Sequence, residues 1–468
     1  MTRAEALAAL AALLGPKGFI DAPEAVAPYA ADWRGLETGA PVAVLRPAAT
    51  EDVAACVRLC AAAGIPIVPQ GGNTGLVGGT VARAEHGAVT LNLGRMDRIR
   101  EVDADGFTLT AEAGCTLHQV RAAAETADRL FPLSLGAEGT CTIGGNLSTN
   151  AGGILTLRYG NARDLALGLE VVLPDGRVWH GLRRLRKDNT GYDLKHLFIG
   201  AEGTLGVITA ASLKLYPRPR RVETALVAVP DPAASVALLG RLRDATGDAL
   251  TAYELMPRFA VEGARTYLAV EFDPFAAPSP WYVLAELSGG GNLRGRAEAA
   301  LAAALEAGQA ADAVFAETEE HRRRFWRMRE GLSELGRRVG GAVHHDVAVP
   351  VTRVPDLIAQ AAAALAALVP GCRPYPFGHV GDGNIHLNVA RPVDMAGNDY
   401  LARAPEITRT VHDIVTALGG SVSAEHGIGG RKRDEMARVK SAVELDLMRA
   451  VKRALDPMDL LNPGKVLP

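Results

Sequence analysis

Several kinds of residue that build special sites are scarce in this sequence. There are 5 Cys in 468 residues: Cys56, Cys60, Cys115, Cys141 and Cys372. Their number is odd and no Cys-x-x-Cys pair occurs, which argues against a disulfide framework, a zinc ribbon or an iron–sulfur cluster. Cys56 and Cys60, one helical turn apart in an Ala-rich stretch, read as small buried apolar residues. Aromatic residues make up only 5%, too few for the stacking platforms of a single-strand nucleic-acid binder. Neither sign of charge is in excess; the formal charge is −3, without the basic footprint of nucleic-acid recognition. The sequence reads as having no apolar run of about 18 residues, so no bilayer-spanning helix is expected. Residues 6–14 are Ala/Leu-rich, but Glu5 abuts them and Gly15-Pro16 stops them. They read as an amphipathic helix rather than a targeting segment. The expected compartment is the cytoplasm, with peripheral membrane association as an option.

What is present is an ordinary globular composition, 48% hydrophobic and 22% charged, long enough for two or three domains. The pattern predicts a helix over 51–63 with Thr50 as its N-cap, a strand over 65–68, strands over 88–93 and 107–113, a helix over 115–127 and a strand over 167–172. Pro217 and Pro219 mark a boundary. Beyond it, strands over 222–229 and 281–288 alternate with Ala/Leu helices over 232–245, 294–308 and 355–368, an α+β pattern. The expected division is 1–219, 220–419, and a segment 420–468 that returns to the first domain.

Glycine is plentiful, 51 residues, and three glycine-rich stretches fall within about 140 residues: Gln70 to Gly79, Leu135 to Gly153, and Phe198 to Thr209. Bare backbone N–H groups approach phosphate oxygens closely. Three such stretches suggest a wall of donors along a long phosphorylated ligand. There is no P-loop. Gly289-Gly-Gly-Asn-Leu-Arg-Gly295 misses the Rossmann spacing by one residue and reads as a strand–helix turn.

The second concentration of chemistry is Phe377-Gly-His379-Val-Gly-Asp-Gly-Asn-Ile-His386-Leu-Asn388, followed by Glu425-His426. Two imidazoles and a carboxylate with open positions are the pattern of a catalytic zinc site or a non-haem iron triad. Asp382 is a rival ligand, although Gly-Asp-Gly is also good turn chemistry. Trp326-Arg-Met-Arg329-Glu-Gly-Leu-Ser333 is a candidate carboxylate binder or a solvated helix face. Arg183-Arg184 with Arg186-Lys187 reads as a surface loop, and Arg431-Lys-Arg433 as a run that could steer an anion.

In order and spacing, Pro69-Gln-Gly-Gly-Asn-Thr-Gly75, Gly144 to Gly153, Tyr159-Gly160 and Gly200 to Gly206 resemble the FAD-binding domain of the vanillyl-alcohol oxidase / p-cresol methylhydroxylase superfamily. The later motifs resemble its FAD-linked D-2-hydroxyacid dehydrogenases, which act on D-lactate, D-2-hydroxyglutarate or glycolate. The resemblance implies an α+β fold: a two-subdomain FAD-binding domain plus an α+β substrate/cap domain. It implies that Gln70, Gly71, Gly72, Asn73, Thr74 and Gly75 grip the pyrophosphate. Gly136, Thr142, Gly145, Asn146, Thr149, Asn150 and Gly152 would line the flavin and its linking chain. Glu202, Gly203 and Ile208 would meet the adenine–ribose end, and Asn462 would return to the flavin. Some relatives carry a flavin-linking His where Asn73 stands, so the FAD is expected to be non-covalent. His379, His386 and Glu425 match ligands of a divalent metal, taken as zinc. His426 matches the proposed base, Asn388 and Arg329 match substrate contacts, and Ser333 matches a neighbouring Thr. Many relatives have a Lys where this chain has His344, before His345-Asp346.

The implied reaction is hydride transfer from a D-2-hydroxyacid to flavin N5, giving the 2-oxoacid. Electrons would leave to a quinone, an electron-transfer flavoprotein or a cytochrome, and a homodimer is compatible. The alternatives are a non-redox transferase of the ether-lipid synthase type, the FAD subunit of a glycolate oxidase complex, and a flavin-free iron oxygenase.

Overall fold

A computed structural model describes residues 1–268 and 274–468. The chain divides into two compact units. The first comprises Met1–Gly153, Gly160–Arg218 and Glu425–Pro468; the second comprises Ile154–Tyr159 and Pro219–Ala424.

The first unit holds two larger sheets. In one, Phe19–Ile20, Val44–Leu45, Val89–Asn92 and Ile67–Gln70 lie in that order, the last three parallel. Parallel strands need apolar cover. The helix Thr50–Ala63 contributes Val53, Cys56, Val57 and Cys60, a stripe at the helical period, to a buried cluster with Leu10, Ile67 and Leu91. Burial pushes the Cys60 thiol up to about 12, and the Cys56 thiol rises as well. Both stay protonated and inert.

Thr50 is not the N-cap. That position belongs to Ala49, and the Thr50 hydroxyl donates instead to Glu170 Oε1 at 2.6 Å, a charged and therefore stronger partner. Glu170 lies in the second sheet, an antiparallel arrangement in the order Ile99–Asp103, Thr108–Glu112, Val207–Lys214, Ala166–Val172, Val178–Gly181. The C-terminal segment rejoins this unit beside strand Ile67–Gln70. Ile67 pairs with Leu461, and Asn462 N–H donates to Ile67 O at 2.7 Å.

The second unit contains an antiparallel sheet in the order Leu250–Pro257, Trp281–Gly289, Arg221–Val229, Asp312–Phe315. Helix Leu293–Glu306 follows Trp281–Gly289, so Gly289 to Gly295 is indeed a strand–helix turn. Its strand is antiparallel to its neighbours, which excludes a Rossmann βαβ unit. A further sheet is centred on Asn384–Ala390, which pairs with Ala342–Val343, Asp346–Ala348 and Arg373–Phe377. The two sheets are stitched by reciprocal bonds between Leu255 and Gly378, of 2.8 and 3.0 Å.

One sequence expectation is corrected. Val351–Leu368 is an 18-residue helical stretch apolar enough by length and composition to cross a bilayer. In this unit Val354, Leu357, Ile358, Ala361 and Leu365 are buried, the stripe of a helix packed along one side. Arg353 and Asp356 lie near the start of the run.

Candidate active site

In the first unit the candidate site is built from backbone. Ile67–Gln70 ends in a loop, Gly71 to Gly79, which lies against the turn before the short helix Ile143–Ser148. The approach leaves no room for side chains. A Cβ on Gly72 would stand 1.9 Å from Thr140 O, and one on Gly71 would stand 2.3 Å from Thr142 Oγ1. Gln70 locks the loop root, donating to Tyr29 O at 3.0 Å and accepting from Asn92 at 3.1 Å. Asn73, at φ 54°, donates to Ala31 O at 2.8 Å and accepts from the Thr80 hydroxyl at 2.7 Å. Among the described residues, the backbone N–H groups of Gly71 to Gly75 donate to no protein acceptor. A half-buried run of unpaired donors is what a pyrophosphate would satisfy, so these residues fit that group.

The other predicted FAD contacts lie in the same unit. Thr142 caps Ile143–Ser148, and Thr149 follows as its C-cap. Asn146 is buried, while Gly145 and Gly152 are half-buried and Gly136 is exposed. Asn150, at φ 51°, accepts from Arg163 N–H. Gly203 and Ile208 are buried. The Glu202 carboxylate accepts from Ile428 N–H at 2.7 Å and Gly429 N–H at 2.8 Å. Burial nevertheless raises its pKa. Asn462 donates to Gly79 O at 3.0 Å and Glu202 O at 2.8 Å, and Lys465 donates to Gly78 O at 2.7 Å. Glu425 lies against Gly152, where a Cβ would be 2.9 Å from its Oε1. Arg431 is not available for steering: it pairs with Glu37 at 2.7 Å and Asp32 at 3.0 Å.

In the second unit the candidate site is built from side chains. His379 follows strand Arg373–Phe377, and His386 lies within Asn384–Ala390. Gly378, at φ 135°, turns the chain between Phe377 and His379. The two imidazole rings meet edge to face at 5.5 Å, 76° between planes, with ligand atoms within 4.8 Å of each other. Register sets Asp346 opposite His386 on one side and Phe377 on the other. The Asp346 carboxylate is buried, accepts from Asn384 at 2.9 Å, and lies 3.9 Å from His386 Nδ1. Asn388, two residues along and therefore on the same face as His386, is 3% exposed. Asp382 accepts from Asn384 N–H at 3.0 Å, as a turn residue does.

Sequence reasoning missed Glu254. It lies on strand Leu250–Pro257, fully buried. One oxygen faces His379 Nδ1 at 2.5 Å, and the other faces Arg329 Nε at 2.5 Å. Burial alone would push its pKa up, but the charge of Arg329 and the hydrogen bond from His379 outweigh that and hold it at about 2. The signal that could have found it is an acid amid Ala252-Tyr-Glu-Leu-Met256, on a strand with no other charge.

Arg329 belongs to the buried stripe Phe325, Met328, Leu332, Leu335 of helix Glu319–Arg338, so it is no solvated face. Its Nη atoms make no hydrogen bond among the described residues. Ser333, one turn on, is exposed. His344 is exposed, whereas His345 is a core residue with Nδ1 2.7 Å from Leu387 O. Two neutral imidazoles, one fixed by a carboxylate, are good donors for a divalent metal. Glu425 and His426 follow Ala424 in the chain, where Ala424 N–H donates to Asp346 O.

Known proteins place this arrangement. Residues 41–181 match the FAD binding domain family, and residues 218–466 match the C-terminal domain of FAD linked oxidases. The probable mitochondrial D-2-hydroxyglutarate dehydrogenase of Oryza sativa subsp. indica is 38% identical over 97% of this chain and 80% of its own. The D-2-hydroxyglutarate dehydrogenase of Xanthomonas citri pv. viticola is 36% identical over 94% and 92%. In fold the chain is similar to p-cresol methylhydroxylase, with a TM-score of 0.79, 20% identity, and coverage of 99% and 96%. It is also similar to alkyldihydroxyacetonephosphate synthase, with a TM-score of 0.76, 18% identity, and coverage of 99% and 86%. The chain belongs to the FAD-linked oxidases, in the family of the D-2-hydroxyglutarate dehydrogenases.

Proposed function

We propose that this enzyme oxidises a D-2-hydroxyacid, D-2-hydroxyglutarate foremost, to the 2-oxoacid, with non-covalent FAD and a divalent metal, zinc by its donor set. The carrying observation is the cluster of buried His379 and Arg329 and half-buried His386 gathered around Glu254 and Asp346. Identity of 36–38% to D-2-hydroxyglutarate dehydrogenases supports the reaction class. FAD would supply the hydride acceptor at N5, and a cation, for which His379, His386 and Glu425 are the candidate ligands, would supply Lewis acidity.

The chain's own residues do the rest. Arg329, with Nε held by Glu254, presents its two Nη donors as a fork for a carboxylate. His426 takes the hydroxyl proton on a ring nitrogen as the Cα–H bond gives up its electron pair. Asn388 adds a polar contact to the substrate from the His386 face, and Ser333 borders the Arg329 turn. Gly71 to Gly75 take the pyrophosphate oxygens, and Asn462 and Glu202 hold the surrounding loops in place. The electrons would leave bound FAD for an external acceptor: a quinone, an electron-transfer flavoprotein or a cytochrome. The working location is the cytoplasm.

The test is anaerobic flavin bleaching by D- and L-lactate, malate, 2-hydroxyglutarate and glycolate, with and without a chelator. D-acids are expected to bleach and L-acids not, with the chelator suppressing the effect. Equal bleaching by L-acids would overturn the stereochemistry, and indifference to the chelator would overturn the metal. Steady reduction of a dye by the hydroxyacid excludes a non-redox transferase.

A further inference from the structure

We infer that Glu254 is a positioning residue whose single carboxylate sets both His379, the metal-side imidazole, and Arg329, the anion-binding guanidinium, so that neither is oriented independently. The inference rests on the reading of that cluster given above.

Glu254 is an anomaly in its strand. Its neighbours on the same face, Ala252 and Met256, belong to the apolar core with Phe325, Leu332 and Phe377. A lone carboxylate there is costly unless every oxygen is used. Both are used, and by donors: Arg329 Nε–H and His379 Nδ1–H. A carboxylate is the only side-chain group that offers two acceptors and no donor. The three partners come from rigid places: a central position in a strand, the buried stripe of a 20-residue helix, and a turn pinned through Gly378 to Leu255, the next residue after Glu254. With the proton on Nδ1, His379 carries its lone pair on Nε2, the tautomer that a metal requires.

Glutamine matches glutamate in shape but has one acceptor and one donor. In Glu254→Gln the charged Arg329 takes the single oxygen, and His379 Nδ1–H faces an amide N–H. The ring loses its fixed tautomer and orientation. Removing Arg329 as well, in E254Q/R329M, returns the oxygen to His379. A residue needed only for folding would make the double variant worse than either single one.

The experiment uses FAD-loaded, 15N-histidine-labelled protein stripped by a chelator, with the His379 signal identified by its loss in H379N. The wild type is expected to show the Nδ1-protonated tautomer, and E254Q the other form or an average. Zn2+ affinity, read by competition with a chelating dye, is expected to fall about tenfold or more in E254Q, to hold in R329M, and to recover in E254Q/R329M. Unchanged tautomer and Zn2+ affinity in E254Q, or a double variant weaker than E254Q, would overturn the inference. If E254Q does not fold, E254L/R329M, which buries no charge at either position, replaces it and is expected to lose what R329M keeps; equal behaviour of the two overturns the inference. A wild type that binds no Zn2+ yet shows the Glu254-dependent tautomer would sink the metal reading and leave the positioning role standing. Zn2+ binding indifferent to E254Q would do the reverse.

Discussion

The two units build their candidate sites from opposite materials. In the first, the ligand-facing atoms are backbone N–H groups, and the side chains that matter are those that are missing, as at Gly71 and Gly72. In the second, the working atoms are side-chain nitrogens and oxygens, and the backbone serves to aim them, as Gly378 does. The difference teaches where each site is vulnerable. A backbone site fails by steric intrusion and is indifferent to charge. A side-chain site fails when an acceptor or a charge is lost and tolerates changes of volume better.

Three substitutions would break or sharpen that contrast. The largest effect is expected from Gly72→Ala, whose methyl group would meet a carbonyl oxygen at 1.9 Å. The loop must move, and the purified protein should hold a small fraction of the wild-type flavin, read as the flavin-to-protein absorbance ratio. A normal ratio would show that the loop is not a fitted wall. His386→Ala should keep its flavin yet be bleached by the hydroxyacid about 100-fold more slowly or worse, since Lewis-acid assistance is worth several kcal/mol. Loss of flavin in that variant would blur the division between the sites.

The smallest effect is expected at Lys465, a side-chain charge placed in the backbone site. Burial, and then the charge of Arg83, lowers its pKa to about 8, against about 10.4 in an unfolded chain. Between those values the unfolded chain binds the proton that the folded chain has released. Stability of the wild type relative to Lys465→Met should therefore rise with pH from about 8 to 10, and be flat below 8. Denaturant midpoints of both proteins at pH 7 and 9.5 measure it; a pH-independent difference would refute the assignment.

Local signals in the sequence carried far. The glycine stretches, the His379/His386 turn and the structural reading of Cys56 and Cys60 were legible because each depends on neighbours within a few residues. Arg329 was half legible: its place among Phe325, Met328 and Leu332 marks a buried arginine, but the charges around it suggest a wet face. Glu254 was not legible, because its partners stand 75 and 125 residues away and a single acid in a strand has no pattern. Arg431 misled for the same reason: the acids that engage it lie 394 and 399 residues upstream. Thr50 shows the smaller version, a sound local preference overridden by a buried carboxylate from another sheet.

The pairing of Ile67 with Leu461 has a consequence for biosynthesis. The strand that leads into the glycine loop leaves the ribosome 394 residues before the segment that finishes its edge. At about 5–20 residues per second that interval is roughly 20–80 s. Throughout it the nascent chain carries an open sheet edge and an unfinished nucleotide cradle. The second unit, contiguous apart from residues 154–159, has its whole chain by Ala424. The first unit therefore gains the edge partner of Ile67–Gln70 only when Leu461 is made, so a chain cut between Ala424 and Leu461 carries every residue of the second unit and an unfinished first one.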